Sequence, residues 1–218
     1  MRSLVKLVML LILGTVLYLP NVAAADTVLY FDDVPGGIID HEAIPLPTDY
    51  GGFTWSASGS SIYWGVVDND SYRSLYKNTF NFETNPNVVI NEDGHHGAAQ
   101  VMISSATKFN FDGAYFATLT RKDNNNYFGA TSLTITGKLG ATEKGTITID
   151  LSPGPLVWYD VNFEGIDTLI FEASGPVGRY FLMDNFVASQ VPLPPSLLLL
   201  GTGILGLVGL RKIKGKIS

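Results

Sequence analysis

Residues 132–151 read SLTITGKLGATEKGTITIDL. Apolar and polar side chains alternate from Ser132 to Thr136 and again from Thr146 to Leu151, the period of two that sends successive residues to opposite faces of a strand. Gly140 and its neighbours supply a turn between the two runs. The pair predicts an antiparallel hairpin with Leu133, Ile135, Ile147, Ile149 and Leu151 directed at a core.

Working outward, the same signature recurs through the middle of the chain. Further strands are expected at 27–31, 52–56, 61–67, 87–90, 98–103, 108–111, 114–120, 156–162, 167–173 and 180–188. Between them lie Val34-Pro35-Gly36-Gly37, Asn91-Glu92-Asp93-Gly94 and Ser152-Pro153-Gly154-Pro155, which mark turns. No helical periodicity longer than two turns interrupts this region. Many short strands at such spacing predict an all-β fold, an antiparallel two-sheet sandwich of the jelly-roll type. The chain has no cysteine, so the sandwich must stand on its hydrophobic core alone; about 165 residues are ample for one such core.

Both ends of the chain differ from this body. Arg2 and Lys6 precede the uncharged, mostly aliphatic stretch 7–19, followed by Pro20 and Ala23-Ala24-Ala25. Residues 1–25 therefore read as a secretory signal peptide with Asp26 as the mature start. At the far end, Val191-Pro192-Leu193-Pro194 is followed by fifteen uncharged residues, 196–210, and then by Arg211, Lys212, Lys214 and Lys216. As a helix those fifteen residues reach roughly 22 Å against an apolar bilayer core of about 30 Å, a marginal span. The cations place its end on the cytoplasmic side.

That tripartite tail resembles the PEP-CTERM sorting signal in its VPLP-type variant, with Leu193 where the commoner form has Glu. The resemblance implies that residues 191–218 are read by an exosortase-type membrane enzyme, and that the carrier is an exported protein of an exopolysaccharide-producing Gram-negative bacterium. It also implies residence in the inner membrane, at least in passing, before the cell surface or the medium. In the body, Tyr30-Phe31-Asp32-Asp33, Tyr50-Gly51-Gly52-Phe53-Thr54-Trp55, Phe109-Asn110-Phe111-Asp112-Gly113-Ala114-Tyr115, Gly165-Ile166-Asp167-Thr168-Leu169 and Met183-Asp184-Asn185-Phe186 are similar to secreted jelly-roll domains that accompany such tails, which resemble carbohydrate-binding modules in outline. These are packing patterns and imply a fold, with no activity attached.

The region 26–190 contains eight Lys and Arg against all twenty Asp and Glu, which leaves a formal balance of −12; the whole-chain value of −6 conceals it. Such a surface repels nucleic-acid phosphates and anionic lipid headgroups and suits divalent cations. Two constellations are candidates for a site. Asp32-Asp33 in the first strand region and Asp184-Asn185 in the last would meet if those strands are neighbours, and could gather oxygen ligands around a structural calcium ion, as the resemblance to carbohydrate-binding modules also implies. The competing reading has these acids capping turns and strand ends. Of the aromatic run Phe53, Trp55, Tyr63, Trp64, Trp64 shares its face with Ile62 and Val66 and is expected to be buried. Trp55 and Tyr63 are the candidates for stacking on a sugar ring, against the alternative that such rings fill the core.

Other patterns fail. Asp68-Asn69-Asp70-Ser71 opens like a calcium loop but has Arg73 where the turn needs glycine. Adjacent His95-His96 with His41 lacks the geometry of a zinc site. No nucleophile elbow, P-loop or dinucleotide fingerprint is present. Three functions remain: a non-catalytic polysaccharide-binding surface or matrix protein, a purely structural or adhesive matrix component, and a secreted polysaccharide hydrolase.

Overall fold

A computed structural model of the protein describes residues 26–39, 42–57, 63–71, 86–92, 100–119, 129–176 and 178–191. The expected leader, the tail with Pro192, Leu193, Pro194, Arg211 and Lys212, and His41, His95 and His96 all lie outside the described residues. Among the described residues twelve strands form: β1 (Asp26–Leu29), β2 (Ile38–Ile39), β3 (Glu42–Pro45), β4 (Asp49–Tyr50), β5 (Phe53–Ala57), β6 (Tyr63–Asp68), β7 (Asn87–Glu92), β8 (Gln100–Thr118), β9 (Ser132–Leu139), β10 (Thr142–Asp150), β11 (Val157–Ser174) and β12 (Phe181–Gln190). Their pairings are all antiparallel. Among the described residues no helix is long and apolar enough to cross a membrane.

The alternating stretch folds as its periodicity requires. In the β9–β10 hairpin Leu133 lies opposite Ile149 and Ile135 opposite Ile147. Leu133, Ile135, Ile149 and Leu151 are buried and Ile147 packs against the same cluster. Gly140 turns the chain in the left-handed region at φ 58°, which glycine adopts without steric cost, and its N–H donates to Asp167 Oδ2 at 2.8 Å. On the opposite face the hydroxyls of Thr134 and Thr148, and of Thr136 and Thr146, meet at 2.9 and 3.1 Å.

One group of expectations is corrected. The runs 98–103, 108–111 and 114–120 are one strand, β8, and 156–162 and 167–173 are one strand, β11. The polar residues at 104–107 and Gly165 do not end these strands. They fall at shifts in register, between Phe163 and Ile166 and between Ile166 and Thr168 on β11, opposite Phe111, Phe109 and Ser104 on β8. Extra residues at such bulges bend a strand while pairing continues on either side.

The bends let β8 and β11 serve two layers. In the first layer residues 101–104 of β8 pair with β5, the 168–172 part of β11 flanks them on the other side, and β9 and β10 extend the sheet beyond it. In the second layer residues 109–118 of β8 pair with β12 and with the 157–166 part of β11; β7, β6, β3 and β2 follow outward from β12. β1 also lies against β12, with Asp26 opposite Ser189 and Leu29 opposite Phe186, so the first and last described strands are neighbours. This is an antiparallel β-sandwich.

The main core fills the space between layers. Trp64 is fully enclosed, its ring edge-on to Trp55 at 5.2 Å, Phe171 at 5.7 Å and Phe181 at 5.8 Å. Phe186 of the second layer meets Phe53 and Trp55 of the first. A second, smaller cluster of Ala43, Val67, Val88, Ile90, Ala117, Leu119, Leu156, Tyr180 and Leu182 takes the opposite faces of the same second-layer strands. The unbroken apolar run of β7 reflects burial on both faces. Ala25–Val191 is one compact unit that contains both clusters and every strand pairing among the described residues, so these are complete within it.

Replacing Trp64 with alanine removes the largest fully buried side chain and is expected to lower stability by about 3–5 kcal/mol. Thr134→Ala on the solvent face of the hairpin should change it by no more than about 0.5 kcal/mol. Urea denaturation followed by tryptophan fluorescence checks both.

Candidate functional site

β1 and β12 are neighbours, with Leu29 opposite Phe186, and Asp32 and Asp33 lie in the turn that follows β1. Asn87, at the start of β7, organises that turn. Its side-chain Nδ2 donates to the carbonyls of Phe31 at 3.1 Å and Val34 at 2.9 Å, occupying main-chain oxygens that a cation would otherwise use. Burial raises the Asp32 pKa; the Asn87 main-chain N–H opposes that rise and the neighbouring Asp33 charge adds to it. Asp33 turns elsewhere, accepting the Tyr50 hydroxyl at 2.6 Å. Burial and this carboxylate push the phenol well above its ordinary range.

Asp184 is fully buried, and its Oδ1 accepts the Asn185 main-chain N–H at 2.7 Å. Asn185 has φ 49°, and its Oδ1 is a buried oxygen without a hydrogen-bond partner. Buried carbonyl oxygens in native proteins nearly always have a donor, an ordered water or an ion, and this atom is open to any of the three. No three His, Cys, Asp or Glu side chains gather into a metal-holding group among the described residues.

The expected aromatic platform is corrected. Trp55 is 3% exposed; its ring contacts Phe31, Trp64 and Phe186, and its N–H donates to the Tyr50 carbonyl at 2.9 Å. A ring so enclosed cannot stack on a sugar. Period two puts Phe53 and Trp55 on one face without deciding which side of the sheet that face meets. Trp64 is buried as expected, and Tyr63 is half-buried with its hydroxyl donating to the Ala43 carbonyl at 3.2 Å. Trp55 and Tyr63 therefore do not form a joint surface.

A different pair is accessible. On the β11 edge of the second layer, Trp158 pairs in register with Tyr115 of β8, and Tyr115 with Asp184 of β12. Both rings are half-buried and meet edge-to-face, centroids 5.4 Å apart. The Trp158 indole N–H donates to Asp160 Oδ1 at 2.7 Å, which fixes the ring's orientation. Gly113 lies beneath it: a Cβ there would sit 2.9 Å from Trp158 Cζ2 and 2.2 Å from the Tyr159 carbonyl oxygen. The indole thus rests on strand backbone, and its exposed part faces away from the sheet. Val157 beside it is 50% exposed, whereas Tyr159 packs against the main core and Val161 is buried.

The signal for Trp158 is the alternation itself. Trp158, Asp160 and Asn162 share a face by period two, and a large ring in line with two polar residues marks an outward aromatic. Tyr115 has no such local signal: it stands between Ala114 and Phe116 of the main core and itself packs against the smaller cluster.

No protein-family model matches the chain, and no curated protein matches it. Among solved structures it is similar to the K2 cleaved adhesin domain of Lys-gingipain, at 13% identity and a TM-score of 0.45, over 77% of this chain and all of that one. It is also similar to TmCBM61 in complex with β-1,4-galactotriose, at 12% identity and a TM-score of 0.39, over 67% of this chain and 97% of that one. A family 29 carbohydrate-binding module from Piromyces equi matches at 12% identity and a TM-score of 0.39, over 78% and 93% of the two chains.

Because the Gly113 position abuts backbone that cannot rotate away, Gly113→Ala should force β8 and β11 apart and cost about 1–3 kcal/mol. A lowered urea midpoint with an altered Trp158 environment in near-ultraviolet circular dichroism is the expected result.

Proposed function

We propose that this protein is an exported, non-catalytic surface or matrix protein whose β-sandwich binds extracellular polysaccharide through the Trp158–Tyr115 surface. The observation that carries this reading is the half-exposed, pre-oriented ring pair on a rigid sheet. Aromatic faces attract the C–H groups of pyranose rings, and a ring already held by Asp160 and by the β8 backbone loses little freedom on binding. The apolar leader and the tripartite tail support delivery through the inner membrane and processing by an exosortase-type enzyme, with the body outside the cell. Glycan-array analysis of residues 26–190 should show retention of at least one polysaccharide. Self-association without glycan retention would favour a structural matrix protein, and release of reducing sugar would favour a hydrolase.

A structural cation is a second reading, favoured by the partnerless Asn185 Oδ1 beside buried Asp184. Asp184 and Asn185 would hold a hard cation such as calcium with the Asp32 turn alongside. Calcium at a hundredfold excess over its dissociation constant should then stabilise the fold by about 2.7 kcal/mol, and EDTA should abolish that gain. Identical melting curves with calcium and with EDTA would rule the cation out.

A further inference from the structure

The stretches of strand around the aromatic surface are rich in carboxylates, and Lys108 is the one cation on β8. β1, β12, all of β11 and residues 109–118 of β8 contain seven carboxylates and not one Lys or Arg. Asp160 is exposed and bonded to the indole of Trp158. Asp112, one residue before Gly113, is half-buried; burial raises its pKa, and the proximity of Asp26 raises it further. Asp184 lies in register with Tyr115. A carboxylate has about four acceptor positions, so Asp160 can hold the indole N–H and still accept from a ligand.

An aromatic face beside carboxylates discriminates by charge. The π face attracts cations as well as C–H groups, and the carboxylate field concentrates cations and repels anions. A uronic-acid polymer would bring its own carboxylates against Asp160 and Asp112 with no Lys or Arg on β11, β12 or residues 109–118 of β8 to receive them.

We propose that the Trp158–Tyr115 surface takes a hexosamine polymer bearing free amino groups, its pyranose C–H face on the rings and an ammonium beside Asp160. This rests on the polysaccharide-binding reading above and narrows it to one ligand charge. Neutral hexosamine polymers bind the same rings more weakly, and polyuronates are excluded.

The test uses the 26–190 body with three probes: a glucosamine oligomer, its N-acetylated counterpart and an oligogalacturonate, titrated calorimetrically at low and high ionic strength. The glucosamine oligomer should bind about threefold to fivefold more tightly than the N-acetylated one at low salt, with the difference closing at high salt, and the oligogalacturonate should not bind. Asp160→Asn keeps an oxygen for the indole N–H but deletes the charge; it should bring the ratio of the glucosamine to the N-acetylated affinity down to about one at low salt. Trp158→Ala should abolish binding of both, with Trp158→Phe restoring part of it if the alanine variant folds poorly. Equal affinity for the amine and N-acetyl forms, or binding of the oligogalacturonate, overturns the inference while leaving polysaccharide binding intact. Undiminished amine binding in a folded Trp158→Ala protein also overturns it, because the diffuse negative field would then be the cause. Failure of every glycan to bind removes the underlying reading as well.

Discussion

Trp64 joins the two layers of the sandwich, and the rest of the structure is arranged around it. Its ring belongs to the second layer but meets Trp55 and Phe171 of the first edge-on, while its indole N–H crosses to the Met102 carbonyl on β8 at 3.2 Å. Edge-to-face contact brings the positive ring edge to the negative face of its neighbour, and the crossing hydrogen bond satisfies the indole's only polar group. In a chain without disulfides, this contact sets both the spacing of the layers and their rotation about each other. Phe186 repeats the pattern lower in the core, stacked on Phe111 at 4.8 Å and edge-on to Phe53 at 5.3 Å.

The layers are further tied by the strands they share. β8 and β11 stay paired through their bends, so the first and second layers cannot slide apart without breaking a continuous ladder. The bulges on β11 also have a functional consequence. They change which face a side chain meets along one strand, so that Ile166 enters the core with Phe163 and Leu169 although it is in step with Trp158, which lies on the outside of the second layer. The surface proposed to bind glycan is therefore built on the same two strands that hold the sandwich together. Rigid elements of that kind hold a ring in place better than a loop does.

β7 fixes the loops at its two ends through asparagine side chains. Asn87 holds the turn after β1 through the Phe31 and Val34 carbonyls. Asn91 donates to the Arg179 carbonyl at 2.8 Å and accepts the Phe181 N–H at 2.8 Å, fixing the chain as it enters β12. Glu92 follows, 2% exposed, accepting the Tyr180 hydroxyl at 2.9 Å. A primary amide both donates and accepts, so one buried Asn can satisfy a turn that no regular ladder reaches. Asn87 thereby holds the turn that carries Asp32 and Asp33, and Asn91 the entry to the strand that carries Asp184 and Asn185.

The β-class of the fold was legible in the sequence because alternation is a local property. Leu133, Ile135 and Ile149 are buried where period two puts them, and the pairing of β1 with β12 follows from the sandwich architecture expected for such strands. Charge was legible too, since twenty carboxylates against eight cations in the body is a count and needs no coordinates. Strand continuity was not, because a glycine or a polar run reads the same whether it ends a strand or bulges it, and the outcome at 104–107 and Gly165 depends on the partner strand. Nor was the accessible ring. Trp55 and Trp158 both alternate with other residues, but only the packing of one layer on the other decides that Trp55 points inward and Trp158 outward, and burial is a property of the two surfaces together.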